Sequence, residues 1–149
     1  KCFYTDVEFV IRGLSVTKNI GYLDKIIYKY RVARDEQSMS AAGFRKHYKE
    51  HLRMLYNMLE FEKNFSGNKN VKTVIRNRLK KVVMMQYNIF CLLEGNIQQK
   101  RELIAFNKDL KSRYREYYDV PMKKVVVLRN TNFIIYPYVC KYCCKKHIG

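Results

Sequence analysis

Apolar side chains recur at steps of three and four residues from residue 41 onward, and this spacing restricts the fold more than any other feature of the sequence. It places the apolar groups on one face of an α-helix, and that face must be buried against another element. The strong helix breakers in residues 41–149 are few: Gly43, Gly67, Gly95, Gly149, Pro121 and Pro137. The chain is therefore predicted to be mainly α, with about four helices in a C-terminal helical bundle.

Three long helices are predicted at residues 41–65, 71–94 and 97–117. The apolar stripe of the first consists of Phe44, Tyr48, Leu52, Leu55 and Leu59. The stripe of the second includes one polar residue and consists of Val71, Ile75, Leu79, Val82, Gln86, Phe90 and Leu93. The apolar stripe of the third consists of Leu103, Phe106, Leu110, Tyr114 and Tyr117. Gly95 is predicted as the residue just past the end of the second helix. Asn96 and Gln99 have the spacing of a capping box for the third.

The sequence of the last segment, residues 125–144, fits more than one secondary structure. The run from Val125 to Leu128 fits either a strand or a buried helical turn, because periodicity cannot separate the two. We predict a helix with a kink near Pro137. The region 125–144 contains Arg129, Asn130, Asn132 and Lys141, so it is too polar for a membrane-spanning helix.

Residues 1–40 have a different pattern, predicted as a short helix followed by a two-stranded ribbon near 20–32. Four short elements follow one another here: Thr5-Asp6 at a helix start, Ile20–Leu23, Tyr28-Lys29-Tyr30-Arg31, and Gln37-Ser38-Met39-Ser40. In this order and spacing they resemble the end of the catalytic domain in bacterial family 2 glycosyltransferases of the GT-A type. The resemblance implies two regions. Residues 1–40 would be the terminal piece of a GT-A α/β domain, completed by the ribbon, and residues 41–149 a helical C-terminal domain.

The resemblance also implies an activity. The parent protein would move a sugar from a nucleotide-sugar to a cell-envelope or capsular polysaccharide acceptor, either a glycan or a lipid-linked one. The family's N-terminal half holds Mg²⁺ or Mn²⁺ with an Asp-x-Asp motif, which does not occur in this chain. The metal is therefore expected in the parent and not in this fragment, which alone would be inactive. The helical part would serve acceptor, membrane or subunit contact.

Asp6 is the predicted catalytic residue. Inverting glycosyl transfer needs a general base that accepts the proton of the attacking hydroxyl, and a carboxylate within hydrogen-bond reach suffices. In the resembling family, the Asp of an acidic pair at a helix start has this role. The other interpretation is that Asp6 only caps the helix. Thr5 stands where the family usually has Glu, so this chain lacks the first acid of the pair.

Arg31, Arg34, Ser38 and Ser40 are the predicted substrate-binding residues. A guanidinium binds phosphate in a fork, and serine hydroxyls add hydrogen bonds. In the resembling family the corresponding loop folds over the donor diphosphate or the acceptor. The alternative is an ordinary surface loop with solvated arginines.

The net charge of +17 requires anionic partners or a well-solvated surface. The candidates are an anionic membrane, a lipid diphosphate and nucleic acid. The Lys- and Tyr-rich tail suits a membrane interface. No helix-turn-helix signature is evident, so nucleic acid is not expected as a partner. A basic nucleic-acid-binding or homo-oligomerisation module without enzymatic activity is the alternative function.

Cysteine and histidine positions suggest metal sites that we do not favour. Cys140, Cys143 or Cys144, and His147 share one helix face, but a structural zinc site normally draws ligands from two elements. Small buried thiols are the better interpretation. His47 and His51 are interpreted as exposed bystanders. Five cysteines without a secretory signal favour a reducing cytosol, and we expect a cytoplasmic protein, peripheral on the inner face of the cytoplasmic membrane.

Overall fold

The computed structural model describes residues 4–19, 21–29 and 40–146. In these ranges the chain is mainly helical, as predicted, and contains no β-strand. The helices are α1 (Thr5–Val16), α2 (Ala41–Asn64), α3 (Lys69–Cys91), α4 (Ile97–Arg113), α5 (Lys123–Asn130) and α6 (Tyr136–Lys146), with a 3₁₀ turn at Arg115–Tyr117. The three long helices lie close to their predicted bounds. No helix among the described residues has the length and apolar character needed to cross a membrane.

Helix α3 lies at the centre of the bundle and contacts α1, α2, α4 and α6. The apolar stripes predicted from the sequence form much of the core. Its fully buried members include Leu55, Leu59, Ile75, Leu79, Phe90, Leu103, Phe106 and Leu110. Burying each such side chain contributes roughly 1.5–3 kcal/mol before the entropic cost of ordering. Because apolar side chains of α3 are buried against several neighbouring helices, the chain folds around α3 despite its many charged residues.

Tyrosine hydroxyls connect neighbouring helices. Tyr56 of α2 donates to Asp109 of α4 at 2.8 Å, and Tyr136 of α6 donates to the carbonyl oxygen of Phe90 in α3 at 2.8 Å. A buried phenol contributes a large apolar ring together with one hydrogen bond. The high tyrosine content therefore has a structural explanation in this bundle.

The link between α3 and α4 depends on Gly95. The capping box predicted for α4 is confirmed, since Asn96 and Gln99 bond to each other's backbone N–H groups. Gly95 does not directly follow the end of α3, which ends at Cys91. It has φ of 77°, and a Cβ there would lie 2.9 Å from the Cα of Pro137. A glycine is thus needed both for the backbone conformation and for the close approach of α6.

The single kinked helix predicted for the last segment is wrong, because α5 and α6 are separate helices. The break falls at residues 131–135, where Asn132 and Phe133 have positive φ angles of 47° and 60°. Pro137 is not the cause of the break. It lies in the first turn of α6, where a missing backbone N–H costs no helical hydrogen bond.

The ribbon predicted near 20–32 is not confirmed. Residues 21–29 form no strand, and Ile20 and residues 30–32 lie outside the described residues. A strand needs a neighbouring strand to pair with. The side chains of residues 21–29 are instead exposed, and Ile26 and Ile27 are about as exposed as Tyr22.

Helix α1 packs on α2 and α3 through Tyr4 and Ile11. The division into domains at residue 40 stays a prediction.

Candidate active site at the start of helix α1

The start of α1 is fixed by a buried aromatic residue. Tyr4 is the N-cap residue, with φ of 66°, and its side chain makes no capping hydrogen bond. Its ring packs edge-on against His51 of α2, with the ring centroids 4.8 Å apart. Burial, and next the charge of Glu50, raise the pKa of Tyr4 to about 12, so the phenol stays protonated. Left-handed backbone at a tyrosine costs on the order of 1–3 kcal/mol and persists because this packing holds it.

Asp6 is an exposed carboxylate in the first turn of α1. The helix begins at Thr5, so Asp6 lies inside the helix and is not its N-cap residue. The capping interpretation of Asp6 is therefore wrong. Within the part of the chain that the structure describes, its side chain has no hydrogen bond or ion pair.

Asp6 lines a groove between α1 and α3 with a volume of about 220 Å³. Most of the groove's walls are apolar and are formed by residues such as Val10 and Ile75. Arg78 of α3 also lines the groove and is its cationic residue. A carboxylate and a guanidinium thus face one small groove, and the helix N-terminus adds a positive potential there. This arrangement allows Asp6 to accept a proton beside a group that can bind an anion.

Glu8, the second acid of this turn, is placed differently. Its Oε1 accepts a hydrogen bond from the Nε of Arg12 at 2.9 Å and forms an ion pair with the same guanidinium, whose Nη2 is also 2.9 Å away. Glu8 lines a separate small pocket beside α2 with Glu50 and Arg53. Its carboxylate is therefore already engaged. The two acids differ in partners and in the helix that they face, and this makes Glu8 a matched control for Asp6.

His51 is not the exposed bystander that we expected. It is 2% exposed, and its Nδ1 donates to the Oε1 of fully buried Gln86 at 2.6 Å. The Nε2 of Gln86 has no partner among the described atoms. Burial lowers the pKa of His51, and the bond to Gln86 opposes that effect only in part. His47 is half-buried, and its Nδ1 lies 3.2 Å from the Oε1 of Glu50.

The stability of the bundle should decrease on mild acidification because of His51. Below about pH 6.5 an unfolded histidine takes up a proton that the buried ring resists. The free energy of unfolding should thus fall as the pH drops through that value towards the lower pKa of the folded state. Thermal melts at about pH 7.5 and 5.5 should show a smaller difference for His51→Gln than for the wild type. Equal differences would contradict a neutral buried His51.

The predicted substrate-binding loop is described only at its end. Arg31, Arg34 and Ser38 lie outside the described residues, so their roles stay predictions. Ser40 is the N-cap residue of α2, and its hydroxyl oxygen accepts from the backbone N–H of Gly43 at 2.9 Å. That bond gives Ser40 a structural role, and its contact with substrate stays a prediction.

The cysteines of the tail pack against the end of α3. Cys140 is buried and donates to the carbonyl oxygen of Phe90 at 3.4 Å, while Cys144 donates to that of Leu92 at 3.4 Å. Burial raises the pKa of Cys91 and of Cys140 to about 12, which keeps both thiols protonated. No cluster of three His, Cys, Asp or Glu side chains suited to a metal ion is found among the described residues.

No protein-family model matches the chain, and searches of curated proteins and of solved structures also return no match. The resemblance to glycosyltransferases therefore depends only on the four short elements of residues 1–40 described above. Arg78 and the His51–Gln86 pair were missed from the sequence. Arg78 is one of many exposed cations on α3, and a buried histidine on a basic helix has the same local pattern as an exposed one.

Proposed function

We propose that this chain is the C-terminal part of a GT-A glycosyltransferase in which Asp6 is the general base. The observation that supports the proposal is the state of Asp6. It is exposed in the first turn of a helix, is not the cap, and has no side-chain partner among the described residues. A carboxylate with a purely structural role would be expected to hold a cap or an ion pair, as Glu8 does.

In the proposed reaction a hydroxyl of the acceptor attacks the anomeric carbon of the donor sugar. Its proton passes to a carboxylate oxygen of Asp6 as the new glycosidic bond forms, and the nucleoside diphosphate leaves. Arg78 lies in the same groove and is suited to an anionic group of the acceptor. A divalent metal, Mg²⁺ or Mn²⁺, would neutralise the leaving diphosphate and would be held by the N-terminal half of the parent.

Residues 21–29 are proposed to complete the catalytic domain. Tyr22, Leu23, Ile26 and Ile27 are exposed here, although apolar residues at such a density are normally buried. In the parent they would form the predicted ribbon against the rest of the α/β domain. Arg31, Arg34 and Ser38 would then follow the ribbon towards the diphosphate.

The helical bundle is proposed to bring the enzyme to an anionic membrane surface. Tyr138, Lys141, Tyr142 and Lys145 are exposed on α6 at steps of three and four residues, so they form one face. Tyrosine and lysine are suited to the boundary between headgroups and hydrocarbon. A lipid-linked acceptor would be reached from such a position.

The proposal predicts that the parent protein binds a nucleotide-sugar and that this chain alone does not. The donor diphosphate and its metal would be held by the other half of the enzyme, so the 149-residue chain should give no measurable heat. Calorimetry with UDP- and GDP-sugars and Mn²⁺, run in parallel on both proteins, checks this. A parent that binds no nucleotide-sugar would contradict the proposed function, and binding by the chain alone would contradict the placement of the donor site.

A further inference from the structure

A large groove of the bundle lies away from Asp6, among α2, α3, α5 and α6. Its volume is about 830 Å³, which is within the range of small-molecule sites. The walls are mostly apolar and come from all four helices, including Phe44, Ile89, Val127 and Val139. A groove of this composition fits a hydrocarbon chain better than a sugar or a nucleotide, which would need more polar partners.

The charged residue that lines this groove is a cation. Lys124 of α5 is half-buried there, and Asn88 of α3 adds a polar side chain. Among the described residues no Asp or Glu lines the groove. Lys81 lies one turn before Met85, a lining residue, on the same side of α3. The electrostatic complement of this site is therefore a negatively charged headgroup attached to an apolar chain.

The surface beside the groove indicates that such a ligand would come from a bilayer. Tyr138 and Tyr142 line the groove and also belong to the exposed face of α6 that carries Lys141 and Lys145. Ile134, just before α6, is 67% exposed. Aromatic and basic groups on one face are typical of a helix lying at a bilayer surface.

We propose that this groove takes up one acyl chain of an anionic phospholipid at a bilayer surface, with Lys124 facing the phosphate. The chain would lie along the apolar walls formed by α3 and α6. The lysines of α6 would contact neighbouring headgroups. This proposal deepens the membrane contact proposed above and rests on it, but it is independent of Asp6 and of glycosyl transfer.

The test compares two adjacent valines of α5. Val126 and Val127 are both 46% exposed, but only Val127 lines the groove. Val127→Trp should fill the groove and lower the affinity for monomeric decyl phosphate and for phosphatidylglycerol vesicles by about tenfold. Val126→Trp adds the same side chain outside the groove and should change both affinities by less than about twofold. Equal effects of the two variants would overturn the proposal.

A second pair of variants tests the charge. Lys124→Gln should remove most of the preference for decyl phosphate over decylphosphocholine, whereas Lys123→Gln, which is outside the groove, should keep it. Calorimetry gives both affinities for the 149-residue chain, and circular dichroism checks that each variant is folded. Binding to anionic vesicles without binding to decyl phosphate would overturn the groove proposal and leave the membrane contact standing. Binding to neither would remove both, and neither result depends on transferase activity.

Discussion

Replacing Asp6 by Asn in the full-length parent should lower the rate of sugar transfer by about two to four orders of magnitude, the usual contribution of a positioned general base. Asparagine keeps the shape of the side chain but cannot accept the proton of the acceptor hydroxyl. Donor affinity should be unchanged because, in the proposed enzyme, the diphosphate would be held by the N-terminal half. The measurements are single-turnover transfer with saturating donor and, separately, calorimetry of donor binding.

The same substitution should leave the fold intact. Asp6 is exposed, and α1 is held in place by Tyr4 and Ile11. Substitution at such a surface position usually changes the free energy of unfolding by less than about 0.5 kcal/mol. Glu8→Gln is the matched control, since Glu8 lies in the same helix start but bonds Arg12 and faces α2. Near-full turnover of Asp6→Asn, or an equal loss in Glu8→Gln, would show that Asp6 is not the base.

The helical bundle was predictable because its signal is local. Each long helix carries an apolar stripe of its own, and the capping box of α4 consists of two residues three positions apart. Such patterns specify an element without knowledge of its neighbours. The break between α5 and α6 was misplaced because it depends on two consecutive positive φ angles, at Asn132 and Phe133. No proline or glycine stands at these positions to indicate a break.

The candidate site was predictable only in part. The position of Asp6 in a first helical turn follows from the local sequence, but its place in one groove with Arg78 requires the packing of α1 on α3. The burial of His51 likewise depends on Tyr4 and Gln86, residues far from it in sequence. The ribbon of residues 20–32 was expected from the order of short local elements, and a strand also needs a partner strand, which the described residues do not supply.

An ion pair with a buried carboxylate connects three elements of the bundle. Glu62 of α2 is 2% exposed, and Arg76 of α3 donates to its Oε1 from two nitrogens, at 3.1 and 2.8 Å. The hydroxyl of Tyr117 donates to the other oxygen at 2.8 Å. Burial, and next the bond to Glu62, raise the pKa of Tyr117, which keeps this donor protonated. Both oxygens of a buried carboxylate are thereby satisfied.

Arg76→Ala should destabilise the chain by about 2–3 kcal/mol, because it leaves the Glu62 carboxylate buried without its counter-charge. The value is below that for a fully buried pair, since the Arg76 side chain is 36% exposed. Arg78→Ala is the matched control on the same helix, and it should change the free energy of unfolding by less than about 0.5 kcal/mol. Urea denaturation followed by circular dichroism measures both. Adding Glu62→Gln to Arg76→Ala should recover part of the loss by removing the buried charge. If the double variant is no more stable than Arg76→Ala, the loss comes from packing and not from the uncompensated carboxylate.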